Sequence, residues 1–263
     1  MILKNYLLRT VKDPLNFGML IVFPIVMITI FITTSRADIP AELRLIGGYC
    51  TVATNMLFFN ALFFQYFCGL IVTDFLYLDF RSDMRWRLMA SPQPFRKFIF
   101  SAIIASIIVS MVNGAIVLTF GRFVFDAYIN VPMMVTVLLG MGIFTTLLGV
   151  LFFLIFPKKG TTTAAVMIFA FAQMLALNFN MISIPGVGEV GVAFLLPLVA
   201  AVRVLEYTGG MVIQFNDPDL GWLGGFTRLD TDFSMALVPL GFLAGLVVAV
   251  LIAVIIVGRK RRI

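Results

Sequence analysis

The chain has 263 residues, of which 61% are hydrophobic and only 12% are charged, and its mean hydropathy is +1.07. Soluble domains carry about a quarter charged residues, so this composition excludes an ordinary soluble protein and predicts helices embedded in a membrane. The net charge of +6 then indicates membrane topology and a membrane surface, with no binding of nucleic acid expected.

The sequence also lacks the residues of several common reaction centres. It has no histidine, which removes imidazole-based acid–base catalysis and the usual imidazole metal sites. It has no glycine-rich phosphate loop, because Lys159-Gly160-Thr161 has lysine and glycine in the reverse order and lacks the upstream glycine. We therefore expect no catalytic residue, no metal and no cofactor in this chain.

The chain begins with a short amphipathic segment that ends near Pro14, since proline disfavours helix in the residue before it. Its apolar residues recur at helical spacing on one face, and polar residues occupy the other face. The pattern predicts an interfacial helix lying along the membrane surface. The apolar residues are Leu3, Tyr6, Leu7 and Val11.

Six apolar stretches of about 20 residues or more follow, each long enough to cross the hydrocarbon core as a helix. Their approximate bounds are 15–34, 46–73, 98–120, 131–156, 161–183 and 235–257. Little sequence lies outside them. We therefore expect residues 1–263 to form one transmembrane domain of the all-α polytopic class.

A seventh apolar segment, residues 190–202, lies between spans five and six. About 13 residues with Pro197 among them are too few to cross a core of about 30 Å. With six crossings, most of the 19 Lys and Arg residues fall on the side of the N-terminus, which the positive-inside rule assigns to the cytoplasm. We therefore predict cytoplasmic termini and a re-entrant segment, with Arg203 and Glu206 near its exit.

A charged stretch from Asp79 to Ala90 separates spans two and three. Apolar residues recur there at every fourth position, and Asp83 and Arg87 have the spacing of a favourable ion pair on a helix. Pro92 ends the helix near Ala90. Such a helix lies on the bilayer or docks into a partner protein, and a plain basic loop is the alternative.

Spans two and five carry most of the amide side chains found inside the apolar stretches, and phenylalanines surround them. An amide that faces lipid is costly, so these groups point at protein, water or ligand. Helix packing through interhelical hydrogen bonds is the competing interpretation. The residues concerned share helix faces, and they are Asn55, Phe59 and Asn60 in span two and Phe169, Gln173 and Asn180 in span five.

The order of these elements resembles the permease subunit of type 2 ATP-binding-cassette exporters across essentially the whole chain. The most specific run is Arg85-Trp86-Arg87-Leu88-Met89-Ala90-Ser91-Pro92, followed by Pro94-Phe95-Arg96-Lys97-Phe98. In that family a charged segment ending in a small-residue–proline turn forms the cytoplasmic coupling helix on the ATPase. Residues 196–203 are similar to the family's proline-containing re-entrant element. The family's usual glutamate before the coupling helix is absent, and Asp79 and Asp83 stand in that region.

The resemblance implies a division of labour between subunits. Separate ATP-binding cassette ATPase subunits would hold ATP and magnesium, and a second permease subunit, identical or different, would face this one. Spans two and five would line the substrate path, which makes the six residues named above its candidate lining. The residues implied for ATPase coupling are Asp79, Asp83, Arg85, Trp86, Arg87, Leu88 and Met89.

The expected substrate is hydrophobic or amphipathic, such as a drug, peptide, lipid or glycolipid, and the expected direction is export. No organelle signal is present in the sequence, so we expect a prokaryotic inner or plasma membrane.

A secondary carrier is an alternative, although it requires internal repeats and ionisable groups at mid-membrane, and neither is convincing here. A non-transporting immunity or sensor protein is a further alternative. An intramembrane enzyme lacks its familiar Ser–His or paired-Asp site. An ATPase that co-purifies with the chain would discriminate among these classes.

Overall fold

The computed structural model describes residues 2–13, 18–37, 48–82, 85–86, 90, 94–125, 130–178, 195–209, 211–213, 226–228 and 233–260. In these ranges the chain is almost entirely helical. The helices in chain order are α1 (Ile2–Lys12), α2 (Phe23–Ala37), α3 (Gly48–Phe80), α4 (Phe95–Phe125), α5 (Val131–Ile155), α6 (Lys159–Asn178), α7 (Pro197–Gly209) and α8 (Phe233–Lys260). A π-helical turn, Gly18–Val22, precedes α2.

Four helices in the described ranges are long and apolar enough to cross a membrane. Their apolar stretches are Leu57–Phe80 in α3, Arg96–Phe125 in α4, Val131–Ile155 in α5 and Ala236–Lys260 in α8. Helix α2 contributes a shorter stretch, Leu20–Thr34. The protein therefore has the membrane-embedded, multi-pass character that its composition predicts, with four of the six predicted crossings among these long apolar helices.

Helix α3 lies at the centre of the bundle and packs against α2, α4, α5, α6 and α7. Its sequence is apolar on all sides, which is typical of a helix buried on every face. Leu62 and Tyr66 are among its fully buried side chains. The sequence predicts that the second span ends near Thr73, but the helix continues to Phe80. The continuation carries Asp74 and Asp79, and both carboxylates are paired with cations from other helices, so the charges do not end it.

Small residues allow α3 and α5 to come into backbone contact. A Cβ atom on Gly69 would lie 2.6 Å from the carbonyl oxygen of Thr145, and a Cβ atom on Gly149 would overlap the carbonyl oxygen of Gly69. Lipid acyl chains are as apolar as the helices, so the hydrophobic effect does not drive helices together inside a membrane. Association there depends on close packing of the helices instead. Glycine at these two positions is therefore a condition for the packing of the bundle.

Buried hydroxyl groups join α4 to α3 and α5 beside this contact. Ser106 Oγ donates to the carbonyl oxygen of Cys68 at 2.8 Å and accepts a hydrogen bond from Thr146 Oγ1 at 3.2 Å. Ser110 Oγ donates to Gln65 Oε1 at 3.0 Å. Each bond of this kind contributes about 0.6 kcal/mol on average in a membrane. The amide of Gln65 therefore serves helix packing.

A short antiparallel ribbon departs from the all-α prediction. Strand β1 (Met211–Ile213) pairs with β2 (Phe226–Arg228), with Val212 opposite Thr227. Both strands contain β-branched residues, which favour extended backbone, but each is three residues long and gives no alternating pattern to detect. The ribbon lies between α7 and α8.

Candidate functional site

The charged stretch between α3 and α4 begins where α3 ends, and one side of that end is fastened to α1. The hydroxyl of Tyr6 donates a hydrogen bond to Asp79 Oδ2, and Arg9 Nη1 lies 3.2 Å from Asp79 Oδ1. The Tyr6 ring packs against Phe75 with ring centroids 4.9 Å apart. Burial, and then the hydrogen bond to Asp79, raise the pKa of Tyr6, so its hydroxyl keeps the donated proton.

This arrangement changes the interpretation of Asp79. The sequence places it among the residues that would face an ATPase, but its side chain is buried and both carboxylate oxygens have partners in α1. The carboxylate therefore attaches α1 to the end of α3 and is not exposed to a partner protein. The predicted apolar face of α1 is confirmed at Tyr6, which is buried. The prediction is wrong at Val11, which is 71% exposed.

The other side of the α3 end is fastened to the end of α5. Arg81 Nη1 donates to the carbonyl oxygen of Phe156 at 2.7 Å, and Nη2 donates to that of Phe153 at 2.9 Å. The last carbonyl groups of a helix lack intrahelical donors and carry partial negative charge, so a guanidinium is well matched to them. The Arg81 guanidinium also lies 4.6 Å from the centroid of the Phe153 ring.

Two further contacts join α3 to the start of α6. The hydroxyl of Tyr77 donates to the carbonyl oxygen of Phe156 at 2.8 Å and lies 2.8 Å from Thr162 Oγ1. Asp74 Oδ1 lies 3.0 Å from Lys159 Nζ, a largely exposed pair that adds at most about 1 kcal/mol. We call the last turns of α3, with α1 on one side and the α5–α6 connection on the other, the α3 junction.

Part of the predicted coupling segment is described. The backbone N–H of Ala90 donates to the carbonyl oxygen of Trp86 at 3.0 Å, which is the hydrogen bond of a helical turn. Arg85 is exposed and Trp86 is 74% exposed. Tryptophan and arginine are among the residue types enriched at binding hot spots, and both side chains here are accessible to a partner. The other predicted coupling residues, Asp83, Arg87, Leu88 and Met89, lie outside the described residues.

A second group of predicted residues meets where α6 packs against α3. Gln173 is buried, and its Oε1 accepts hydrogen bonds from the Tyr66 hydroxyl at 2.9 Å and from the backbone N–H of Leu198 at 3.0 Å. Since a backbone N–H can only donate, the second bond fixes the orientation of the amide. Gln173 thereby joins α3, α6 and the first turn of α7. Its Nε2 atom is buried and has no partner in the part of the chain that the structure describes.

Aromatic rings continue this group into a seam between α3 and α6. The ring centroid of Phe169 lies 6.1 Å from that of Tyr66, and the centroid of Phe171 lies 5.5 Å from that of Phe63. Phe59 stacks on Phe63 with centroids 6.3 Å apart. We call these residues the α3–α6 seam.

The seam contains three of the six predicted pathway residues, Phe59, Phe169 and Gln173. Asn60 and Gln173 are buried, and the contacts of Gln173 are those of helix packing. Asn55 belongs to α3, but its side chain is not among those described, and Asn180 lies outside the described residues.

Sequence reasoning missed Tyr66, Phe63 and Phe171 in the seam. Tyr66 was detectable, because a buried tyrosine hydroxyl among phenylalanines must find a hydrogen-bond partner. Phe171 is 47% exposed and is the seam residue that opens most to the outside.

Helix α7 contains the predicted re-entrant residues. It has 13 residues, which span about 20 Å and cannot cross a membrane. Pro197 is its first residue, a position that suits proline because the missing N–H has no helical partner there. Arg203 is half-buried on α7, and Glu206 belongs to the same helix, although its side chain is not described. The helix is otherwise buried against α3, α5 and α8.

Among the residues that the structure describes, no group of three His, Cys, Asp or Glu side chains could hold a metal ion. Comparison of the chain with protein-family models, with characterised proteins and with solved structures returned no match.

Proposed function

We propose that this chain is the membrane-spanning permease subunit of an ATP-driven transporter with the layout of type 2 ATP-binding-cassette exporters. It would act with separate ATPase subunits, which hold ATP and magnesium, and with a second permease subunit. The observation that supports this most is the α3 junction. The charged segment that would meet an ATPase emerges from the central helix at the point where three other elements are attached to it.

The junction suits the transmission of force from outside the membrane. A displacement of the segment after Phe80 acts directly on α3, which is continuous from Gly48 and contacts most of the bundle. Through Asp79 it would carry α1, and through Arg81 it would carry the ends of α5 and α6. A single rigid end on the central helix is what a coupling element requires, because packed helices move as bodies rather than deform continuously.

The membrane topology in this proposal has six crossings. Helix α6 and the π-helical turn with α2 supply the two beyond the four long apolar helices, and α7 enters and leaves on one side. Both termini are then cytoplasmic, in a prokaryotic inner or plasma membrane. Most side chains of α8 face outward from the described chain, which leaves that face for lipid or for the second permease subunit.

The α3–α6 seam supports a hydrophobic or amphipathic substrate. In the described conformation its amide, that of Gln173, is buried, so a substrate would reach it only if α6 separated from α3. Separation would expose the Tyr66 hydroxyl and the Gln173 amide among phenylalanine rings. Such a slot stacks apolar groups and hydrogen-bonds one polar group. The partnerless Nε2 of Gln173 would gain an acceptor in that state.

Charge reversal in the coupling segment tests the proposal. The tagged chain is purified with its partners, and ATP hydrolysis and substrate export are measured for the wild type, Arg87→Glu and the control Arg122→Glu. Arg122 is an exposed cation near the other end of α4. We expect Arg87→Glu to lose the ATPase subunit or to uncouple hydrolysis from export, with folded yield unchanged, and Arg122→Glu to behave as wild type. If Arg87→Glu transports and binds its ATPase normally, the segment is a basic loop and the proposal fails.

A further inference from the structure

The exposed sides of α1 and of the first turns of α4, two helices that pack against each other, are both basic and apolar. Helix α1 packs against α4, and its inward side is occupied by Tyr6 and Thr10. Exposed residues on the outward side of α1 and at the start of α4 include Lys4, Leu8, Val11, Lys12, Arg96 and Phe100. We call them the α1–α4 surface.

No ion pair joins the three cations of this surface to another residue of the described chain. Arg9 of α1 pairs with Asp79, whereas neither Lys4, Lys12 nor Arg96 makes an ion pair within the described residues. The first turns of α1 and α4 contain no acidic residue. Three positive charges are therefore available to an anion from outside the chain.

The apolar members are exposed to an extent that needs a covering. Val11 is 71% exposed, Phe100 is 65% exposed and Leu8 is 43% exposed. On α1, Leu8 and Val11 lie between Lys4 and Lys12 on the same side of the helix. Apolar residues flanked by cations are typical of segments that insert into the acyl boundary while their charges reach the headgroups.

The level of the surface relative to the membrane follows from its attachments. Arg96 is the first residue of the apolar stretch of α4, and Phe100 lies one turn further into it. Asp79, to which α1 is fastened, is one residue before the end of the apolar stretch of α3. The surface thus lies at the border of the hydrocarbon core, where phosphate groups of lipids are found.

We infer that the α1–α4 surface binds the headgroups of anionic phospholipids, with Lys4, Lys12 and Arg96 on the phosphates and Leu8, Val11 and Phe100 against the acyl chains. An acidic protein would satisfy the charges equally well, but it would leave Phe100 inside the apolar span uncovered. This binding does not depend on the transport function proposed above.

The test measures lipid affinity of the purified full chain in neutral detergent micelles. Phosphatidylglycerol and phosphatidylcholine are titrated onto the wild type, onto Lys4→Gln/Lys12→Gln/Arg96→Gln, and onto the control Lys158→Gln/Arg259→Gln/Lys260→Gln. The control removes three exposed cations from other places on the chain. Each cation near an anionic lipid surface changes affinity about fivefold, so the first triple variant should lose phosphatidylglycerol on the order of a hundredfold at low salt.

We expect the control variant to retain most of the wild-type affinity and phosphatidylcholine to bind all three proteins weakly and alike. Lys4→Arg/Lys12→Arg/Arg96→Lys keeps the charges and should bind phosphatidylglycerol as the wild type does. Equal losses in the two triple variants, or no loss in the first, would overturn the inference. So would competition by inorganic phosphate at the lipid concentration, which would indicate a simple anion site. Unchanged lipid binding with loss of a co-purifying protein would assign the surface to that protein instead.

Discussion

Removal of the Asp79 carboxylate should release α1 from the bundle. In the wild type this carboxylate accepts from the Tyr6 hydroxyl and pairs with Arg9, and these are the polar contacts that hold α1 to α3. In Asp79→Ala the Tyr6 hydroxyl loses its acceptor in a buried position, and Arg9 loses its counter-ion.

The expected cost follows from the burial of each partner. A buried hydrogen bond to a charged acceptor contributes about 1.5–3 kcal/mol. The pair with Arg9 adds no more than about 1 kcal/mol, because 36% of the arginine side chain is exposed and water screens it. A total of about 2–3 kcal/mol corresponds to an increase of about 30- to 150-fold in the population of detached α1.

Hydrogen–deuterium exchange measures that population directly. Amides of residues 2–12 should exchange about 30- to 150-fold faster in Asp79→Ala, because they exchange when α1 detaches and unwinds. Amides of α5 supply the internal control and should keep their wild-type rates. Tyr6→Phe keeps the ring against Phe75 and removes only the hydroxyl, so its effect should be smaller, about tenfold.

The double variant Tyr6→Phe/Asp79→Ala separates the hydrogen bond from packing. If the bond is real, the tyrosine substitution should add little once the carboxylate is gone. Wild-type exchange rates in both single variants would show that apolar packing alone holds α1 and that the contacts of Asp79 with Tyr6 and Arg9 do not.

Three other outcomes follow from the structure. The stability that Tyr6 contributes should be constant below pH 10 and should decline above pH 10. An unfolded tyrosine ionises near its ordinary pKa of 10.0, whereas burial raises the pKa of Tyr6 and keeps it protonated in the folded protein. Tyr6→Phe should lack this decline in unfolding measurements. Gly69→Ala should sharply lower the yield of monodisperse protein because the new methyl group meets the backbone of α5, whereas Gly241→Ala, which meets nothing within 4 Å, should express as wild type. Gln173→Leu should destabilise the fold by about 2–4 kcal/mol, more than Tyr66→Phe, because it leaves two buried donors without an acceptor. Equal thermal stability of the two variants would contradict the hydrogen bond from the Leu198 N–H to Gln173.

The sequence was most informative where structure depends on local pattern. Long apolar runs indicated the membrane helices, and the spacing of Phe169 and Gln173 correctly placed both on the side of α6 that meets Tyr66. Periodicity also placed Tyr6 on the inward face of α1. These features need only the period of the helix and the cost of exposing apolar or amide groups to the wrong solvent.

Contacts between distant parts of the chain were not visible in that way. Asp79 looks like a surface charge in its local sequence, and its partner Tyr6 is 73 positions away. The extension of α3 to Phe80 depends on the same pairing, since unpaired carboxylates would favour an earlier end in the headgroup region. The hydrogen bond from the Leu198 N–H to Gln173 joins two helices, and neither local sequence indicates that the other is its partner.

Site-specific photocrosslinking tests the central claim most directly. A photoreactive phenylalanine analogue replaces Trp86, which is 74% exposed after the α3 junction, and the control replaces Phe123, which is 81% exposed near the other end of α4. After irradiation of native membranes, the crosslinked product is purified and sequenced. The account predicts that position 86 crosslinks to a protein with a glycine-rich phosphate loop and that position 123 does not. Crosslinking of position 86 to lipid alone, with the protein folded and active in its membrane, would contradict the assignment as an ATPase-coupled permease.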